Sequence, residues 1–473
     1  MKIPIPGSVC FRLLLCVCWF LVGQESRAET AAQISQYGIT WTFAKSQTVG
    51  KFATGDWWVV GPVEVVGITT DLHAKGFTPE PGQDGSMVNP GADSKQGYDN
   101  RIDSYDEKLN AGLCGGHAVS PDHPLTLSPN SSLVSMVSWL YRSEADAEPG
   151  IPRFNGGTKA PRPVTRSAAV LTVLAEPPPE GSFRPPYCGK DKTVKFNVKN
   201  LDPSKLQNLD PADGAPSPDQ LLKDLGRPWI DHVYQFLGAM IHPSENMPQY
   251  GREIAATVCD AALVLNMDFS KLHSDTTKEK LLVPFVQLGI DLTGIADEGG
   301  GWPANGGHHI GRKLPILMAG VVLNDDHMKS AGKWETRFQE DEQTFFVSQA
   351  EVDVTHSGKW NPDKRATDKE PYTSEDIGMA EWGIVHKKQP EADNRGWQTP
   401  YRSVNFNNIA GCALAVRIMG LEEAWNHPAL VAYADRMMKK GEFDSGTNSP
   451  SSFIVKLWNK YEASHKSPAL DGK

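Results

Sequence analysis

Asp297-Glu-Gly-Gly-Gly-Trp-Pro-Ala-Asn-Gly-Gly-His-His-Ile-Gly-Arg-Lys313 separates two apolar stretches of helical spacing, Lys278–Leu292 and Leu314–Leu323. The segment predicts a long loop between two helices, with five glycines between Gly299 and Gly307. Glycine lets a backbone come close to a ligand without a side chain in the way. Arg312 and Lys313 open the second helix, whose free N–H groups favour an anionic group nearby. Trp302, Asn305, His308 and His309 stand in the loop itself. An aromatic ring, an amide, two imidazoles and a guanidinium at a helix start suit binding of, and proton transfer on, an anionic substrate. A long loop of unusual composition is also where functional residues concentrate.

Working outward, the 473-residue chain is too long for one ordinary domain. Residues 1–28 have the pattern of a signal peptide, with Lys2 and Arg12, an apolar Leu13–Val22, and Ser26-Arg-Ala28 as a small-x-small cleavage site. That apolar run is too short to remain as a membrane-spanning helix. The expected product is secreted or periplasmic, without stable membrane insertion. Residues 29–201 read as a β-rich module, sandwich-like or barrel-like. Its candidate strands are Ile39–Phe43, Trp57–Val60, Val63–Val66, Leu133–Leu140, Ala168–Leu174 and Thr193–Val198, separated by Pro, Gly, Asn and Asp clusters. Gly82–Gly116 predicts a long surface loop holding Asn89, Tyr98, Asn100 and Arg101.

The polar, Pro-rich stretch 202–219 predicts a linker. Residues 220–473 then show apolar spacing of helical period. Candidate helices are Trp229–Ile241, Ile254–Leu265, Lys278–Leu292, Lys313–Leu323, Glu335–Phe346, Asn408–Met419, Pro428–Lys439 and Ser452–Glu462. Val347–Tyr401 interrupts them as a second long connection, inside which Ile377–His386 has the composition of an ordered segment. The fold class expected is α+β multidomain, a β-rich module followed by helical hairpins.

A net charge of −10 with no basic run argues against nucleic acid. Of seven cysteines, Cys10, Cys16 and Cys18 fall in the leader. Cys259 and Cys412 sit in apolar helical patterns as small hydrophobes. Cys114 and Cys188 are left with an open question of pairing. Among thirteen tryptophans, Trp57, Trp58, Trp302, Trp382 and Trp397 stand beside glycine or polar residues, where rings serve as platforms for sugar faces.

Three polar clusters of the helical half lie at helix starts: Asn305/His308/His309/Arg312, Glu381-Trp382…His386, and Trp397…Tyr401-Arg402…Asn407-Asn408. Zinc is disfavoured because His308-His309 lacks an i, i+4 partner and a suitably placed Glu. No Gly-x-Ser-x-Gly elbow, dinucleotide fingerprint or P-loop is present. No cofactor or metal is expected. A carboxylate pair for glycoside hydrolysis could come from Asp291, Asp297, Glu298 and Glu381.

This arrangement resembles the α/α-toroid polysaccharide lyases, among them secreted alginate lyases and heparinase-like enzymes. The resemblance covers the helical half. It implies an α/α-toroid-like catalytic domain that cleaves an acidic, uronate-containing polysaccharide by β-elimination. Asn305 and His308 or His309 match the family's Asn/His loop, Arg312 or Arg402 its carboxylate partner, and Tyr401 its acid/base. Trp302, Arg312, Glu381, Trp382, His386, Trp397 and Asn407 are the candidate substrate-binding residues. Two further functions fit the composition: a glycoside hydrolase, and a non-catalytic glycan-binding or envelope protein.

Overall fold

The computed structural model describes residues 28–102, 104–153, 161–233, 240–246, 252–357, 371–383, 399–441, 451–462 and 464. Residues 1–27, His386 and Trp397 lie outside them, as do the side chains of Tyr401 and Arg402.

Eight strands build the N-terminal part: β1 (Glu29–Gln36), β2 (Ile39–Lys51), β3 (Trp57–Val60), β4 (Val63–Thr70), β5 (Gly85–Val88), β6 (Leu125–Leu127), β7 (Ser131–Ser138) and β8 (Thr165–Leu174). They join one curled, half-barrel sheet in the order β5-β7-β8-β3-β2-β4-β6, with β1 on β2. β3 and β8 run parallel and the other pairs antiparallel. The strands therefore share one curled sheet, which favours the barrel-like alternative over the two-sheet sandwich. The reason lies in β7 and β8, which are covered on both faces. Leu133, Val137, Ala169, Leu171 and Val173 pack inside the curl with Ile39 and Trp41. Their alternates Val134, Met136, Ala168 and Val170 pack into the core shared with the helices. A period of two sends successive residues to opposite faces, so the helices take the place of a second sheet.

The helical part contains α1 (Pro218–Leu225), α2 (Arg252–Leu265), α3 (Lys278–Asp297), α4 (Lys313–Leu323), α5 (Asp326–Lys329), α6 (Gln339–Gln343), α7 (Gln349–His356), α8 (Thr399–Ile418), α9 (Glu422–Trp425), α10 (Pro428–Lys440) and α11 (Ser452–Tyr461). α3 packs along α4, and α8 packs against α2 and α10. The fold is thus mixed α/β, with its sheet N-terminal and its helices C-terminal.

Several local expectations change. Thr193–Val198 is extended but joins no strand ladder, and runs into a short 3-10 turn at Val198–Asn200. Glu335–Phe346 divides into α6 and a short strand β9 (Thr344–Phe346), because β9 finds a partner in β10 (Ala380–Trp382). Within Trp229–Ile241, residues 229–233 are not helical, 234–239 lie outside the described residues, and Met240 is in a 3-10 turn. Gly82–Gly116 is more deeply built in than a surface loop. Tyr98 is fully buried, the Asn89 side chain accepts the Ser132 N–H, and Arg101 is held by Asp99 and the Trp139 carbonyl. Cys114 and Cys188 are not bonded to each other; the Cys114 thiol donates to the Glu80 carbonyl. Among the described residues no helix is long and apolar enough to cross a membrane.

Candidate functional site

The loop between α3 and α4 is held by side chains from the segment just beyond α4. Trp302 donates its N–H to the Arg337 carbonyl at 2.7 Å, and its ring stacks on Phe338 with centroids 5.7 Å apart. The next turn winds around one amide. Gln339 Oε1 accepts the N–H of Asn305 (3.3 Å) and of His309 (2.9 Å), while its Nε2 donates to the Gly306 carbonyl (2.6 Å). Asn405 of α8 donates to the same carbonyl at 3.1 Å. Glu342 accepts the Ala304 N–H at 2.7 Å. A glycine is required at 311: its φ is +93°, and a Cβ there would stand 2.6 Å from the Ala255 Cα of α2.

Both histidines are buried, at 1% exposure for His308 and 3% for His309. The Nδ1 of His309 lies 2.7 Å from the Pro303 carbonyl, an acceptor that requires this nitrogen to carry the hydrogen. Burial, with the Arg312 charge adding to it, brings the His309 pKa down to about 4. The ring is therefore neutral at pH 7, with Nε2 as its basic atom. Glu340 is fully buried beneath the loop and accepts the Gly311 N–H at 3.3 Å. Burial, and then the neighbouring Asp341 charge, raises its carboxyl to about 7.

Arg312 is wholly buried and turned inward. Its Nε and Nη2 meet the two oxygens of Asp231 at 2.8 and 3.2 Å, and Nη1 donates to the carbonyls of His308 and Ile310. Asp231 also holds His242 at 2.9 Å. Burial alone would raise the Asp231 carboxyl, but Arg312 and His242 outweigh it and hold it well below the usual range. His232, edge-on to Tyr98 and Tyr187, is lowered to about 4 by burial.

The structure therefore brings together Asn305, His308, His309 and, through Asn405, the second turn of α8. The backbone positions of Tyr401 and Arg402 lie in the turn before it, with 401 four residues before 405. Other expected binders are elsewhere. Trp302 is fully buried against Phe338 and Trp382 is 1% exposed in the core, so neither ring presents a face that a sugar could reach. Glu381, on β10, is 4% exposed and pairs with Arg436 at 2.9 Å. Asn407 accepts the Ser451 N–H at the start of α11. The fork of Arg312 is occupied by Asp231, which removes it as a docking point for a substrate carboxylate.

Sequence reasoning passed over Gln339, Glu340, Asp231 and His242, while Asn405 lay inside the third polar cluster, Trp397–Asn408. Polar residues interrupting an apolar run, as Asp231-His232 does, were the available signal. No known protein-family model, curated protein or solved structure matches the chain.

Proposed function

We propose that this chain cleaves an acidic, uronate-containing polysaccharide by β-elimination, at the turn Asn305–His309 facing α8. The observation that supports this most is the 3.1 Å hydrogen bond from Asn405 to the Gly306 carbonyl, which joins α8, four residues beyond Tyr401, to the double-histidine loop. Closure of the helical half into an α/α toroid, and export after removal of residues 1–28, belong to the same proposal.

A proton α to a carboxylate is too weakly acidic for a side-chain base unless the carboxylate charge is neutralised and the developing enolate stabilised. Asn305, half-buried at the loop surface, and Arg402 take that role, since Arg312 is committed to Asp231. The Gln339 amide and the His308 N–H hold the backbone of Asn305. Tyr401, acting as the phenolate, removes the C5 proton. The electron pair moves through the enolate to form the C4=C5 double bond as the C4–O bond breaks. Tyr401 then returns the proton to the leaving glycosidic oxygen.

Incubation with alginate, glucuronan, pectate and glycosaminoglycans should yield unsaturated ends absorbing in the near ultraviolet from one of them. Tyr401→Phe should lower that rate by roughly 100-fold or more, the usual worth of a positioned acid/base. New reducing ends without unsaturation, lost in Glu381→Gln but kept in Tyr401→Phe, would instead assign a glycoside hydrolase. Saturable binding with no product would assign a glycan-binding protein.

A further inference from the structure

A pocket of about 210 Å³ lies between the segment that follows β8 and the C-terminal half of α3, with the start of α5 closing one side. Its walls include Phe183, Pro186, Phe196, Ile290 and Met328. Phe183, Ile290 and Met328 are almost completely buried, so the interior offers aromatic and aliphatic surface. Cavities of about 150 Å³ with such linings take up a benzene ring, and this one has room for a ring with a short tail.

The mouth has a different chemistry. Asp191, Asp297 and Glu298 line it as exposed groups, and Asp325 as a half-buried one. Lys195 stands 3.9 Å from Asp191, and His327 is hydrogen-bonded to Asp297 at 2.7 Å. Arg184 also borders the pocket, but its guanidinium is taken by Asp56 and Asp291. Four carboxylates thus gather at the opening of an apolar chamber with one lysine to offset them. An acidic polymer is repelled there, and a cation is drawn in.

We infer that this pocket binds a small organic amine, its ring- or short-alkyl-sized body in the apolar chamber and its ammonium among the carboxylates at the mouth. The site is separate from the Asn305–His309 turn and does not depend on the lyase chemistry proposed for it. Apolar burial supplies the affinity, and the rim selects the sign of the charge.

Calorimetric titration of the whole chain tests this with four probes. Phenethylamine carries both features, phenylacetate has a similar body with the opposite charge, methylamine has the charge without the body, and calcium is a bare divalent cation. Phenethylamine alone should bind saturably at one site, and more weakly as ionic strength rises. Glu298→Gln should weaken it about fivefold, as for one exposed ion pair, and Glu298→Lys further. Phe196→Ala should weaken it by removing wall surface while leaving the preference for the cation. Equal binding of phenylacetate, competition by calcium, or an unchanged affinity in Glu298→Lys would overturn the assignment.

Discussion

Glu340 and His309 lie under and within the same loop, and they titrate against each other. For Glu340 the folded-state value is raised to about 7 from an ordinary 4.5. The folded chain therefore holds this proton more tightly than the unfolded one. Its contribution to stability is complete below about pH 4.5 and is lost as pH rises through 7. His309 has the opposite sign, because its value is depressed to about 4 from 6.5. Its contribution is complete above 6.5 and is lost as pH falls through about 4. Glu340→Gln copies the protonated form and removes one arm of this balance. Denaturant unfolding should find variant and parent alike near pH 4, with the variant more stable by on the order of 3 kcal/mol near pH 8. A difference that is the same at both pH values would show that Glu340 does not titrate in this window.

At the scale of elements, the loop–helix contact at Gly311 tests why the turn needs its glycine-rich sequence. Gly311→Ala forces a side chain into a left-handed conformation and drives its Cβ against the α2 backbone at Ala255. Together these should cost about 2–4 kcal/mol. Gly299, also at positive φ but with open space where its Cβ would go, is the matched control. Gly299→Ala should cost about 1 kcal/mol, so the thermal midpoint should fall clearly further for the Gly311 variant. Equal shifts would mean that the close approach to α2 carries no weight. What the sequence made legible follows the same division between local and distant causes. α4 was expected at Lys313–Leu323 and forms there, and the Ile254–Leu265 pattern lies within α2, because the apolar period of a helix is a local signal. β9 was hidden inside a helical-looking Glu335–Phe346, since its partner Ala380–Trp382 lies beyond α7. The deep burial of Trp302 depends on Phe338, which no local pattern connects to it. The loop was legible as unusual. That Arg312 faces inward was not, because Asp231 stands 81 residues away.

Across the whole molecule, one buried polar chain links the sheet to the candidate site. Arg184 bridges Asp56, between β2 and β3, and Asp291 of α3, at 2.8 and 2.6 Å, with all three side chains nearly or wholly buried. Asp291 accepts the Tyr187 N–H at 3.1 Å, the Tyr187 hydroxyl accepts the Asp231 N–H at 2.8 Å, and Asp231 holds Arg312. Arg312 in turn carries the carbonyls of His308 and Ile310. Such a chain adds little net energy while intact, because desolvation offsets much of its Coulomb attraction. Its weight lies in what a break leaves behind. Arg184→Met strands two carboxylates in a dry interior and should cost about 3–5 kcal/mol near neutral pH. Arg184 also lowers the Asp291 carboxyl against a net upward push from burial, so Asp291, once stranded, should protonate readily and the loss should shrink in acid. Adding Asp56→Asn and Asp291→Asn should recover much of the stability at neutral pH. The loop gives the second readout: with Tyr187 released, hydrogen exchange at the His309 amide should quicken in the single variant and slow again in the triple one. Faster exchange that persists after stability is restored would place the connection in the shape of the Arg184 side chain instead of its charge.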